Sequence, residues 1–311
     1  MSQLAAGAHV LDEIEQTAVE LATLAGAEIV TTFGGIFTVR YKTGDAGKLS
    51  MRDPVSEVDR RVETLIRTRL AERFPTHDII GEEMEERPGR GHDCVWAVDP
   101  IDGTTNFVNG FPMFAASIGV LHRGLPIVGA VWCSVSHAFR AGVYHAAAGG
   151  KLRFEGDDVT PKVNAAVLRR LAGVPVAADA DEIGWETRKT GSAALECALV
   201  AAGLLEVARF SSPNLWDVAG GIALVKAGGC VVREHDGMAW IPMHSFTPAA
   251  HSGETPDLRF WRRPGCRGDK KRRGDNVRES VSARAPDQID LWPRNAPSYR
   301  YGKENQRAET A

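Results

Sequence analysis

Carboxylates concentrate in three short segments of this sequence. Gly81-Glu82-Glu83 follows a short apolar run. Asp99-Pro100-Ile101-Asp102-Gly103-Thr104-Thr105-Asn106-Phe107 follows another, and Leu215-Trp216-Asp217 opens an apolar periodic stretch. In the second segment Asp99 and Asp102 stand three apart across Pro100, whose fixed φ and missing N–H stiffen the turn. Such a turn can aim two carboxylates and the Ile101 carbonyl at one point. All are hard oxygen donors, suited to Mg2+ rather than to a soft metal. Gly103 to Asn106 then offers bare backbone where a helix should begin, with free N–H groups and a positive dipole end on which a phosphate can dock. Ligands for a cation beside a cradle for an anion are what phosphoryl chemistry needs. Each segment also has an ordinary reading: Asp-Pro and Asp-Gly as turn dipeptides, Glu82-Glu83 as a solvated face, Asp217 as a first-turn acid serving its own helix. Those readings do not account for acids placed at the ends of buried strands, nor for all three segments together.

The elements around these segments follow from periodicity. Val10, Ile14, Ala18, Leu21, Ala25 and Ile29 recur at three and four, which predicts an amphipathic helix over 10–33 stopped by Gly34-Gly35. A strand is expected at 36–41, a polar loop over 42–54, and a helix over 56–73 capped by Ser56. Residues 78–81 and 94–98 read as buried strands that end at Glu82 and Asp99. Residues 114–121 and 126–133 read as a hairpin, with one more strand at 139–145. The second half repeats the mixture: a helix at 192–203, a strand at 204–210, a helix at 216–227 closed by Gly228-Gly229, and a strand near 230–234. No fixed-period repeat occurs, which argues against a solenoid.

Length and charge set the outer limits. The 311 residues suit one large α/β domain or two small ones. Residues 262–311 carry 13 Lys and Arg against 7 Asp and Glu, whereas 1–261 carry 24 against 33. The acidic excess of the larger part fits either clustered ligands for a cation or a solvated surface. From about Pro264 the chain turns polar and aperiodic, and 266–311 is expected to be a basic, disordered tail beyond a catalytic domain of 1–265. Its tract Lys270-Lys271-Arg272-Arg273 is a weak basis for nucleic-acid binding. The five cysteines (Cys94, Cys133, Cys197, Cys230 and Cys266) are odd in number, widely spaced and without a C-x-x-C pair, so a reducing, cytoplasmic setting is expected rather than a disulfide framework or zinc site. Neither a signal peptide nor a membrane span is evident.

Five motifs together resemble the inositol monophosphatase family. DPIDGTTNF at 99–107 resembles the family's principal signature, GEE at 81–83 precedes it as in the family, and LWDVAGGIALVKAGG at 215–229 is similar to the second signature. Asp53-Pro-Val-Ser-Glu-Val-Asp59 and Gly191-Ser192-Ala193-Ala194 resemble two further motifs, all in the same order over about 10–261. The resemblance implies an αβαβα sandwich of the sugar and inositol phosphatase type, and a lithium-sensitive hydrolase using two to three Mg2+ ions. By the same resemblance Glu82, Asp99 and the Ile101 carbonyl would hold one ion, and Asp99, Asp102 and Asp217 a second. A weaker third ion would use Glu82. Thr104, bonded near Glu82, would position the attacking water. Glu83 and Asp59 would orient ligands or water from behind, and Lys48 would sit near the ions. The substrate would lie against Ile101, Asp102, Gly103, Thr104, Gly191, Ser192 and Asp217. A homodimer is the expected assembly.

One position departs from the pattern. Animal members carry an inositol-binding glutamate seven residues before the Trp-Asp aspartate, where this chain has Phe210, which is expected to face the organic part of the substrate or else to be a core residue. Inositol 1-phosphate is the first expected substrate. Histidinol phosphate, fructose 1,6-bisphosphate and 3′-phosphoadenosine 5′-phosphate are alternatives, to be decided by loops near 155–190 and 209–215. From another class, a non-catalytic phosphate-binding protein on the same fold is the competing reading.

Overall fold

The computed structural model describes residues 2–36, 38–43, 49–84, 92–162, 164, 166–167, 169–173, 185–211, 213–235, 240–246 and 288–293. The main sheet has seven strands in chain order: β3 (Asp78–Gly81), β4 (Cys94–Asp102), β5 (Ala115–His122), β6 (Leu125–Cys133), β7 (Gly142–Ala147), β8 (Arg153–Phe154) and β9 (Asp157–Asp158). β3 runs parallel to β4, and every later neighbour is antiparallel. Period-2 alternation splits this sheet's side chains between two cores. Trp96, Val98, Ile118, Val120, Val128 and Ala130 face one of them, which they share with α1 (Ser2–Thr32) and α2 (Glu57–Arg73). Val95, Ala97, Ala115, Val131 and Cys133 face the other, shared with α4 (Ala193–Ala201) and α5 (Leu215–Ala227).

The α4–α5 pair lies between this sheet and a second one, ordered β11-β10-β12-β15-β13-β14. Its strands are β10 (Arg170–Gly173), β11 (Trp185–Arg188), β12 (Val207–Ser211), β13 (Cys230–His235), β14 (Trp240–Pro242) and β15 (Gln288–Pro293). β10 is parallel to both β11 and β12, and the rest pair antiparallel. Among the described residues helices, sheet, helices and sheet alternate, four layers of the αβαβα sandwich expected from the sequence. The crossover 174–184 between the parallel β10 and β11 lies outside the described residues.

Close approach of α5 to the main sheet is built into three glycines. A Cβ at Gly129 would come within 2.1 Å of the Gly220 carbonyl oxygen, and one at Gly119 within 2.4 Å of the Gly220 nitrogen. The helix backbone therefore rests on the backbones of β5 and β6, which brings its first turn, with Asp217, toward the end of β4.

The structure differs from the sequence reading at several places. Residues 49–56 form β2 (Leu49–Ser56), paired antiparallel with β1 (Val39–Thr43), where a polar loop was expected. Pro54 and the charged residues hid this strand; it pairs on one side only, where a proline is tolerated. The expectation of a disordered 266–311 does not hold at Gln288–Pro293, which forms β15 between β12 and β13. Its alternating Ile289 and Leu291 is a strand pattern too short to stand out from charged surroundings. The tract 270–273 and Lys48 lie outside the described residues, as does Cys266. No helix among the described residues is long and apolar enough to cross a membrane.

Candidate active site

Asp99 and Asp102 close β4, and Asp102 already pairs with Ala115 across a bulge in the β4–β5 ladder. The next residue, Gly103, takes φ +94°, which favours glycine, and a Cβ there would meet the Gly191 and Met113 carbonyl oxygens at 3.3 Å. This turn starts the short helix α3 (Thr104–Val108), as the sequence reading expected. Asn106 locks it to a distant turn: its Nδ2 donates to the Met113 carbonyl at 2.6 Å and to the Thr190 carbonyl at 2.7 Å. That side chain was read only as part of a motif.

The acids converge from separate elements. Asp99 is buried, and its Oδ1 has no hydrogen-bond partner. Burial, followed by the charges of Glu82, Asp102 and Asp217 and a hydrogen bond with Glu82, pushes its carboxyl well above the usual range. Asp102 Oδ2 accepts from Ser192 Oγ at 2.7 Å and from the Ala194 amide at 2.5 Å. Burial nevertheless raises Asp102 to about 7 against the pull of those two bonds, with Glu82 and Glu196 adding to the rise. Asp217 caps its own helix, taking the Asn214 amide on Oδ2 at 2.7 Å, yet burial and the charges of Asp102 and Glu82 raise it well above an ordinary aspartate.

Asp59 lies behind these groups. It completes a capping box at α2, accepting the Ser56 amide on Oδ2 at 2.8 Å, and burial lifts it to about 6 with a contribution from Glu82. Thr104 Oγ1 stands 2.8 Å from the Ile101 carbonyl oxygen and 3.3 Å from Asp59 Oδ1. Its bonding partners are therefore Ile101 and Asp59, where the sequence reading placed it beside Glu82.

Among the described residues no three His, Cys, Asp or Glu side chains stand as a finished ligand set. Asp102 and Asp217 each turn one oxygen to a backbone amide, and Asp99 shares a bond with Glu82. The chemistry of the donors still fits a divalent cation. All are hard oxygens, one buried carboxylate oxygen is unpartnered, and burial followed by neighbouring acid charge lifts three carboxyls above their ordinary range.

The profile of the inositol monophosphatase family matches residues 10–259. The chain belongs to the inositol monophosphatase family. By that membership it is a phosphoric monoester hydrolase. It is 32% identical over 248 residues to inositol monophosphatase 1 of Solanum lycopersicum, covering 73% of this chain and 86% of the relative. It is 30% identical over 227 residues to the fructose-1,6-bisphosphatase/inositol-1-monophosphatase of Aquifex aeolicus, covering 68% and 82%. Among solved structures it resembles the extragenic suppressor protein suhB of Bartonella henselae, with TM-score 0.61, 26% identity and coverage of 71% and 87%. The inositol monophosphatase of Thermotoga maritima matches with TM-score 0.60 and 28% identity over 72% and 85%.

Gly191 and Ser192 form the turn that enters α4. Ser192 caps α4, accepting the Leu195 amide at 3.2 Å while donating to Asp102. The reading also missed Glu196, whose Oε1 takes Thr190 Oγ1 at 2.8 Å and the Thr190 amide at 3.1 Å and so shapes this turn from below. Phe210 is corrected: it was expected to face the organic part of the substrate, but it is only 8% exposed and packs in the core around α4 and α5. Alternation along β12 puts it inward.

Proposed function

We propose that this chain hydrolyses a small polyol phosphate monoester, inositol 1-phosphate first among the candidates, with Mg2+ held by Glu82, Asp99, the Ile101 carbonyl, Asp102 and Asp217. The observation that carries this reading is the gathering of the buried Asp99, Asp102 and Asp217 from separate elements, each with Glu82 as a charged neighbour. Carboxylates crowd in this way where a cation is to offset them. Bound Mg2+ would polarise the phosphoryl group, favour ionisation of an attacking water and neutralise charge on the leaving oxygen.

The chain's own residues then orient and move protons. Thr104 Oγ1 would take the proton that the attacking water loses while its own passes to Asp59 Oδ1, 3.3 Å away. Ser192 and the Ala194 amide fix Asp102, so its second oxygen keeps one direction. The Gly103 and Thr104 amides, at the start of α3, face the phosphate. The Glu83 amide, held by Glu63 Oε2 at 2.7 Å, ties down the loop that carries Glu82. The relatives include both an inositol-1-monophosphatase and a fructose-1,6-bisphosphatase/inositol-1-monophosphatase, which supports a polyol phosphate without choosing one.

The test is phosphate release from a panel containing inositol 1-phosphate, fructose 1,6-bisphosphate, histidinol phosphate and 3′-phosphoadenosine 5′-phosphate, with Mg2+ and with excess EDTA. Hydrolysis of at least one polyol phosphate, lost on chelation, is expected. Turnover unaffected by EDTA, or none of the panel hydrolysed, overturns the reading.

A further inference from the structure

Glu63 is fully buried on α2, with side-chain exposure of 0%. A charge so placed needs partners. Arg67, one turn on, donates Nε to Glu63 Oε1 at 2.8 Å. The remaining capacity goes to backbone: Glu63 Oε2 accepts the Glu83 amide at 2.7 Å and Oε1 the Met84 amide at 3.3 Å. The carboxylate thus fastens the strand-to-loop turn that carries Glu82 and Glu83, reaching across 20 residues of sequence to do so. Gly81 leaves room for it: a Cβ there would come within 2.2 Å of Glu63 Oε1.

We propose that Glu63 is a positioning residue, held by Arg67, that sets where the Glu82 carboxylate points and thereby the affinity of the site for its cation. This rests on the reading that Glu82 is a cation ligand. Position matters here because Glu82 is the one acid of the group that follows β3 rather than closing β4 or opening α5. The parallel pairing of β3 with β4 ends at Gly81, so it does not itself fix the residues that follow. An amide in place of the Glu63 carboxylate keeps the shape but presents an N–H either to the Glu83 amide or to Arg67. One bond, from the Glu83 amide, is lost in the first orientation, and two, from Arg67 and the Met84 amide, in the second.

The test compares wild type, Glu63→Gln and Val62→Ala, the last removing buried volume from the same helix without touching the turn. Mg2+ binding is measured by calorimetry on the metal-free protein, alongside melting temperature, the Mg2+ concentration for half-maximal turnover, and kcat at saturating Mg2+. Glu63→Gln is expected to weaken Mg2+ binding about tenfold or more, the range seen when outer partners of ligands are removed. kcat at saturation should recover substantially. Val62→Ala should lower the melting temperature while leaving Mg2+ affinity within about twofold. Arg67→Lys, which keeps a charge but loses the Nε contact, should give an intermediate loss and serves if Glu63→Gln does not fold. Equal Mg2+ affinity in wild type and Glu63→Gln, or an equal loss in Val62→Ala, overturns the positioning role and leaves the function standing. A wild type that binds no Mg2+ overturns both.

Discussion

Replacing Asp102 by Asn should make the metal-free protein more stable and the enzyme nearly inactive. Asp102 Oδ2 accepts both the Ser192 hydroxyl and the Ala194 amide. An Asn oxygen in that place keeps both bonds, and its NH2 then points toward the neighbouring acids instead of repelling them. Asp102 is raised to about 7 from 3.8. The folded protein therefore holds a proton there that the unfolded chain has lost between those values, so stability falls as pH rises through that window, and the penalty is complete above it. At about 1.4 kcal/mol per tenfold the full gap is worth about 4 kcal/mol, and sharing among the coupled acids brings the expected gain to about 2 kcal/mol. Thermal melts in EDTA should show Asp102→Asn melting about 4–8 °C above wild type at pH 8, the difference shrinking toward pH 4. With Mg2+, phosphate release should fall by roughly two to four powers of ten, as loss of a ligand charge beside the leaving oxygen requires. A metal-free variant less stable than wild type at pH 8 would refute the electrostatic reasoning. Turnover within threefold of wild type would refute the ligand assignment.

Other perturbations separate the remaining roles. The metal-free wild type should lose melting temperature as pH rises from 5 to 8, because Asp59, Asp99, Asp102 and Asp217 are all raised, and saturating Mg2+ should restore more at pH 8 than at pH 5; a Mg2+ effect independent of pH would argue against a shared anionic cluster. Phe210→Glu places a carboxylate in a packed core and should cost several kcal/mol, read as a large drop in melting temperature, without a selective gain for inositol 1-phosphate; a stable variant with altered preference would return Phe210 to the substrate. Truncation after residue 265 removes β15 and should lower the melting temperature markedly and promote association, checked by melts and sedimentation; an unchanged melt would show the strand to be dispensable.

What could be read from the sequence was local. The turn from Asp99 to Asn106 keeps its ligands, its glycine and its helix start within eight residues, so the dipeptides announce both geometry and chemistry. Asp217 could be placed because a helix N-terminus has a sequence signature of its own. Glu63 could not: along α2 it is one acid among many charged residues, and only the fold brings the Glu83 amide to it. The same holds for Glu196, whose partner Thr190 lies in an irregular turn, and for the contact between Thr104 and Asp59, 45 residues apart. β2 and β15 were missed for a different reason. Pairing partners decide strands, and neither segment carries an apolar run long enough to declare itself.

The place of β15 has a consequence for how the chain reaches this fold. β12 and β13 do not touch each other in the sheet; both wait for a strand that arrives roughly sixty to eighty residues later, with Leu291 opposite Ala208 on one side and Val232 on the other. During synthesis the main sheet and α1 to α5 can assemble while this slot is still open, because every residue they need has already left the ribosome. The final step is a threading of distant chain between two preformed edges, a contact pattern that folds slowly. Until it is complete, those edges can accept the same strand from a neighbouring molecule, so high expression rates should favour strand-exchanged oligomers over monomeric closure.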